Sequence, residues 1–182
     1  PKGQGGMVAV LGSTVEAIEK LLKDNQNDIK VQIANDNSEG QIVLSGKIEE
    51  LDKLIIILKE KSIKNIKLPV SAPFHCSLMS KATNIMSEEL NKLSFLQSEN
   101  KLISNVTANE IRDTDELKDL LIKQIENRVR WRESVINMIN NDVNHFIEIG
   151  PGKVLSGLVK RINREVKIST INNQGDIESL EI

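Results

Sequence analysis

"IKVQIANDNSEGQIVLSGKIEELDKLIIIL", residues 29–58, packs two apolar runs, one polar break and one amphipathic segment into a single stretch. Ile29 to Ala34 reads as a strand, and Gln41 to Ser45 reads as its partner. Between them Asn35-Asp36-Asn37-Ser38-Glu39-Gly40 is turn chemistry, in which short polar side chains bond their own backbone and glycine supplies positive φ. A hairpin follows from that arrangement. Gly46 then opens a helix whose Leu51, Leu54, Ile55 and Leu58 share one face.

Outward toward the N-terminus, Met7-Val8-Ala9-Val10-Leu11 reads as a strand ended by Gly12 and Ser13. Ser13 with Glu16 fits a capping box, and Val15, Ile18, Leu21 and Leu22 give a helical face. Toward the C-terminus, Asn65 to Leu68 is a fourth strand. The order β-α-β-β-α-β is that of a ferredoxin-like unit, placed at residues 6–68.

The remainder, 69–182, alternates helix and strand as a layered α/β core does. A helix starts near Leu78 and carries Ala82, Ile85, Met86 and Leu90. Leu102 to Val106 reads as a strand. Asp113 with Glu116 caps a helix bearing Leu117, Leu120, Leu121 and Gln124. Trp131 to Asn140 is a helix and Phe146 to Ile149 a strand. Gly150-Pro151-Gly152 breaks that strand, and Leu155, Leu158, Val159 and Ile162 form the next helical face. The tail beyond Asn172 is polar and expected to fray. Two strands are few for a complete sheet, and the first residue is not Met, so a fragment of a longer α/β protein is expected.

Composition excludes several function classes. A chain of 182 residues with net charge −2 lacks the basic field of a nucleic-acid binder. Aromatic residues make up 2% and Tyr is absent, which leaves no base-stacking platform. One cysteine, Cys76, permits no intrachain disulfide. The longest apolar run, Leu54 to Leu58, is too short to cross a bilayer, and PKGQGGMVAV lacks the pattern of a signal peptide. Two histidines and one cysteine show no ligand spacing, so no metal is expected.

His75 lies in "SAPFHCSLM", residues 71–79. Pro69 and Pro73 stiffen the approach to it. Imidazole titrates near neutrality, so His75 suits a general base, although loop histidines are commonly not catalytic. Cys76 makes a poor partner, because catalytic Cys and His come from separate segments. No window matches the G-x-S-x-G elbow, and Ser156-Gly157 lies inside a helix. "EIGPGKVLSGL", residues 148–158, is not a phosphate-binding P-loop; a helix N-terminus there could hold an anion, but turn chemistry favours a plain tight turn. The basic groups Lys61/Lys64/Lys67, Arg128/Arg130/Arg132 and Lys160/Arg161/Arg164 read as solvated faces or as steering charge for an acidic partner.

Four segments together resemble one family: "IANDNSEGQIVLSG" (33–46), "LPVSAPFHCSLM" (68–79), "NRVRWRESV" (127–135) and "EIGPGKVLSGLVKRI" (148–162). They are similar to the C-terminal part of malonyl-CoA:acyl carrier protein transacylases. The resemblance implies a partial α/β-hydrolase-like acyltransferase core with an inserted ferredoxin-like subdomain. It also implies transfer of malonyl from malonyl-CoA to the phosphopantetheine thiol of acyl carrier protein, through an acyl-serine, in cytoplasmic fatty acid synthesis. No resident cofactor is implied, and the intact protein is expected to be a monomer. The resemblance implies that His75 is the base and that the Arg130 carbonyl orients it. It gives Asn105 a supporting role and assigns Phe74 to acyl selection, in favour of malonyl. The family's GHSLG serine, its malonate-binding Arg and its oxyanion Gln fall outside these 182 residues. Position 39 holds Glu where the family usually has Pro. The alternative function is a non-catalytic carrier-binding module, or one half of a split acyltransferase.

Overall fold

The computed structural model describes residues 3–180. Four strands form one antiparallel sheet: β1 (Gly5–Leu11), β2 (Gln32–Ser38), β3 (Gln41–Lys47) and β4 (Lys64–Lys67), in the order β2-β3-β1-β4. Helices α1 (Val15–Asp24) and α2 (Ile48–Glu60) connect them, giving the ferredoxin-like order expected from sequence. Successive strand residues point to opposite faces, so Val8, Val10, Ile42 and Leu44 meet Ile18, Leu21, Leu51, Leu54 and Leu58 from the helices in one buried cluster. Each such side chain contributes about 1.5–3 kcal/mol on burial. The opposite face buries Met7, Ala9, Ala34 and Val43.

Two local expectations differ. Thr14, not Ser13, caps α1, its hydroxyl accepting the Ala17 amide at 3.2 Å. The expected turn at Asn35–Ser38 is instead strand, and β2 begins three residues later than Ile29. Asp36 and Ser38 are buried, and β2 is bulged against β3 at Ile33/Asn35 and Asp36/Ser38. The bulges let the strand run on to a tight turn at Glu39–Gly40, where Gly40 has φ +72°.

After β4 come a 3₁₀ turn (Ser77–Met79), α3 (Ser80–Leu90), α4 (Thr114–Lys123) and α5 (Trp131–Asn140). Strand β5 (His145–Ile149), α6 (Val154–Ile162), β6 (Lys167–Ile171) and α7 (Gln174–Glu178) complete the described residues. Asp113 caps α4 as expected, accepting the Glu116 amide at 2.8 Å. The expected strand at 102–106 is reduced to one bridge, Ile103 with Glu110. There the Ser104 hydroxyl accepts the amides of Val106 (3.1 Å) and Thr107 (3.4 Å), turning the backbone away from a ladder. Strand β6, not expected from sequence, pairs parallel with β5, and beyond Asn172 an Asn173–Asp176 capping box starts α7.

A second cluster, Val135, Val159 and Val166, binds α5 and α6 to one face of β5 and β6 through Phe146 and Ile168. The two halves are joined at β2. Val129 donates to the Ala34 carbonyl (2.8 Å), and Asp36 donates to the Val129 carbonyl (2.9 Å). The Arg132 guanidinium reaches from α5 to the Asp36 carboxylate, Nη2 at 2.8 Å and Nε at 3.0 Å. That pairing raises the Arg132 pKa above its ordinary value.

Candidate active site

His75 has φ +57°, a left-handed conformation that costs a non-glycine residue about 1–2 kcal/mol. Such strain persists only where neighbours impose it. Pro73, two residues before, is fully buried against Gly5, where an added Cβ would stand 2.4 Å from the proline ring. Cys76, directly after, is 1% exposed, and its thiol donates to the Pro73 carbonyl at 3.2 Å. Cys76 therefore anchors the loop from inside, and its sulfur is bonded away from the ring of His75.

The ring is fixed from α4. His75 Nδ1 lies 2.8 Å from the Gln124 carbonyl oxygen. A carbonyl only accepts, so Nδ1 carries a proton, and in the neutral ring Nε2 holds the lone pair. Gln124 is the C-cap of α4, where helical carbonyls lack intrahelical partners and take donors from elsewhere. The sequence expectation placed the Arg130 carbonyl here, and the structure corrects it. Arg130 is the N-cap of α5, and its carbonyl accepts the Ser134 amide and hydroxyl, both at 2.9 Å. A carbonyl opening a helix is consumed by that helix; one closing a helix is available.

Asn105 sits one bond behind. Its Nδ2 donates to the Gln124 side-chain oxygen at 3.0 Å, and its carbonyl accepts the Arg130 amide at 2.9 Å. It thus ties the end of α4 to the segment entering α5 without touching the imidazole. Arg130 lines an open cleft of about 390 Å³ together with His75, Gln32, Ile33 and Arg128. Its guanidinium Nη1 is held by both oxygens of Glu133 at 3.0 and 2.9 Å. Phe74, adjacent to the base, stands 43% exposed. Sequence reading noted Gln124 only as a helix-face residue, since a carbonyl role leaves no side-chain signature. The usable signal was the end of a well-capped ten-residue helix.

The glycine-rich turn after β5 is a structural turn. Glu148 occupies the N-terminus of α6, accepting the amides of Leu155 (3.0 Å) and Ser156 (2.7 Å). Ser156 first, then Leu155, hold the Glu148 carboxyl below its ordinary pKa, and the bonds they form to it are those of the two amides. A helix end already filled by its own carboxylate offers no place to an external anion. Gly150 (φ +135°) and Gly152 (φ +95°) supply the backbone reversals. Among the described residues no group of three or more acidic, His or Cys side chains could hold a metal ion. Among them, too, no helix is long and apolar enough to cross a membrane.

No protein-family model matches the chain. The malonyl CoA-acyl carrier protein transacylase of Bacillus subtilis (strain 168) is 39% identical over 180 residues, which is 98% of this chain and 57% of the relative. The protein of the same name from Staphylococcus aureus (strain MSSA476) is 38% identical, over 98% and 58%. Among solved structures, malonyl CoA-acyl carrier protein transacylase from Clostridium perfringens superposes with a TM-score of 0.93 at 40% identity, covering 98% of this chain and 56% of that one. A type II PKS acyl-carrier protein in complex with its malonyl-transacylase gives 0.92 at 30% identity, covering 98% and 58%. The chain spans less than two thirds of the length of these relatives. By sequence and by fold, over nearly its whole length, it is a homologue of the malonyl CoA-acyl carrier protein transacylases.

Proposed function

We propose that these residues form the base-bearing part of an enzyme that moves a malonyl group from malonyl-CoA to the phosphopantetheine thiol of acyl carrier protein. The observation that carries this reading is the imidazole of His75, with Nδ1–H given to the Gln124 carbonyl and, in the neutral ring, the lone pair on Nε2. In the proposed reaction Nε2 takes the proton of a serine hydroxyl supplied from outside these 182 residues. The serine oxygen bonds to the malonyl carbonyl carbon, the thioester C–S bond breaks, and the imidazolium returns the proton to the CoA thiolate. In the second half the carrier thiol gives its proton to Nε2, its sulfur bonds to the malonyl carbon as the serine C–O bond breaks, and the imidazolium returns the proton to the serine oxygen. The end of α4, carbonyls outward, faces the ring as positive charge develops on it. In this reading Phe74, next to the base in sequence, takes part in acyl selection, and the reaction needs no resident cofactor. The relatives' names, and the neighbour solved with an acyl-carrier protein, support the choice of donor and acceptor.

In the intact protein His75→Ala is expected to lower kcat for malonyl transfer by about 10²–10⁴. Radiolabelled malonyl-CoA and carrier protein give the measurement. A variant within a few-fold of the parent would refute the assignment.

A further inference from the structure

The strained backbone of His75 is imposed by more than its own loop, and one contributor lies across the molecule. Gln32, the first residue of β2, sits 45 positions before Ser77 in the chain. Its Oε1 accepts both the backbone amide and the hydroxyl of Ser77, each at 2.8 Å. Ser77 is the first residue of the 3₁₀ turn, where amides have no partner within the turn. The next residue back, Cys76, is sealed in the core, and His75 precedes it. Pro73 and Cys76 fix where the loop is. The Gln32 clamp fixes the direction in which the chain leaves it, and hence the torsion at His75.

We propose that Gln32 is a positioning residue for His75: its side-chain oxygen, presented by the ferredoxin-like sheet, holds Ser77 and thereby aims the imidazole at the cleft. The consequence is that β2 takes part in the chemistry without touching the reacting atoms. Gln32 and His75 line the same cleft, so the clamp stands beside the space the substrates would enter. The proposal rests on the acyl-transfer reading for its kinetic consequence, but its geometric consequence is independent of that reading.

The chain has two histidines, His75 and His145, so imidazole NMR resolves the site with an internal control. His145 lies on β5, its Nε2 2.9 Å from the Ser169 hydroxyl, in a different sheet from Gln32. In the 182-residue chain His75 should show the Nδ1–H tautomer with a slowly exchanging ring proton. Gln32→Leu should abolish or broaden that signal and leave His145 unchanged. Gln32→Glu, whose carboxylate still accepts from Ser77 at neutral pH, should restore it. An unchanged His75 spectrum in Gln32→Leu overturns the proposal, as does a Gln32→Glu variant that behaves like Gln32→Leu. Should Gln32→Leu fail to fold, with both imidazoles losing dispersion, Ser77→Ala removes one of the two bonds; a shifted His75 signal then supports the clamp and an unshifted one overturns it. In the intact protein Gln32→Leu should lower kcat about tenfold to a hundredfold with KM unchanged. Full transfer by His75→Ala would defeat the functional reading alone, because the tautomer result does not depend on turnover.

Discussion

The four-stranded sheet closes its own core, whereas the β5–β6 half does not. In the first region twelve buried residues, from two helices, two strands and the Ile29 and Val31 that precede β2, form one cluster on one face of the sheet. In the second, only one face of a two-stranded parallel pair is covered. Phe146 and Ile168 pack on Val135, Val159 and Val166, while Ile147 and Ile149, pointing the other way, are 38% and 78% exposed. Val154 and Leu155 at the start of α6 are 73% and 42% exposed. Parallel strands are ordinarily buried on both faces. The contrast teaches that the two regions answer differently to substitution: the first through packing, the second through the few polar contacts that fasten it.

The largest effect should come from the fastening between them. Arg132→Ala leaves the fully buried Asp36 carboxylate without its guanidinium, and removal of one partner of a buried pair costs about 3–5 kcal/mol. Urea denaturation measures this. Asp36→Leu combined with Arg132→Met should recover most of the loss, because no unpaired charge remains. A loss under about 1 kcal/mol for Arg132→Ala would mean that the pair does not fasten the halves. The next effect separates the regions directly. Leu54→Ala, fully buried between α2 and the sheet, should cost about 2–5 kcal/mol. Ile149→Ser should change stability by no more than about 0.5 kcal/mol and reduce binding of a hydrophobic dye. Equal losses for the two would erase the contrast.

The closed region was the more legible in sequence, for the same reason that it is closed. Strand and helix periods at Met7–Leu11, Gln41–Ser45 and Leu51–Leu58 record a core that the segment itself completes. Where sequence and structure parted, long-range contacts had overruled local chemistry. Asn35–Ser38 has turn composition but stays extended, because Asp36 meets Arg132 and the Val129 backbone. β6 escaped notice because five residues of mixed polarity, Lys167–Ile171, become a strand only by pairing with β5. At the site, His75 was visible as a histidine framed by prolines. Its orienting carbonyl was not, since any residue at the α4 C-cap offers the same oxygen. Gln32 was equally silent, since nothing in its neighbourhood points to Ser77.

The smallest effect tests whether the open half is held by polar contacts. The α6 helix starts on the Glu148 carboxylate, which accepts two of its first amides. Glu148→Ala should cost about 0.5–2 kcal/mol, as loss of a helix cap does. The sign with pH follows from the lowered pKa of Glu148. A carboxyl that binds its proton less readily when folded stabilises fully above its ordinary value of 4.5 and loses that contribution as pH falls through the lower folded value. The parent and Glu148→Ala should therefore differ at neutral pH and converge in acid. Amide exchange along 154–162 should report the difference, with β1 and β3 unaffected. A gap that persists unchanged at the acid end would show that Glu148 acts through packing, and the second half would then resemble the first.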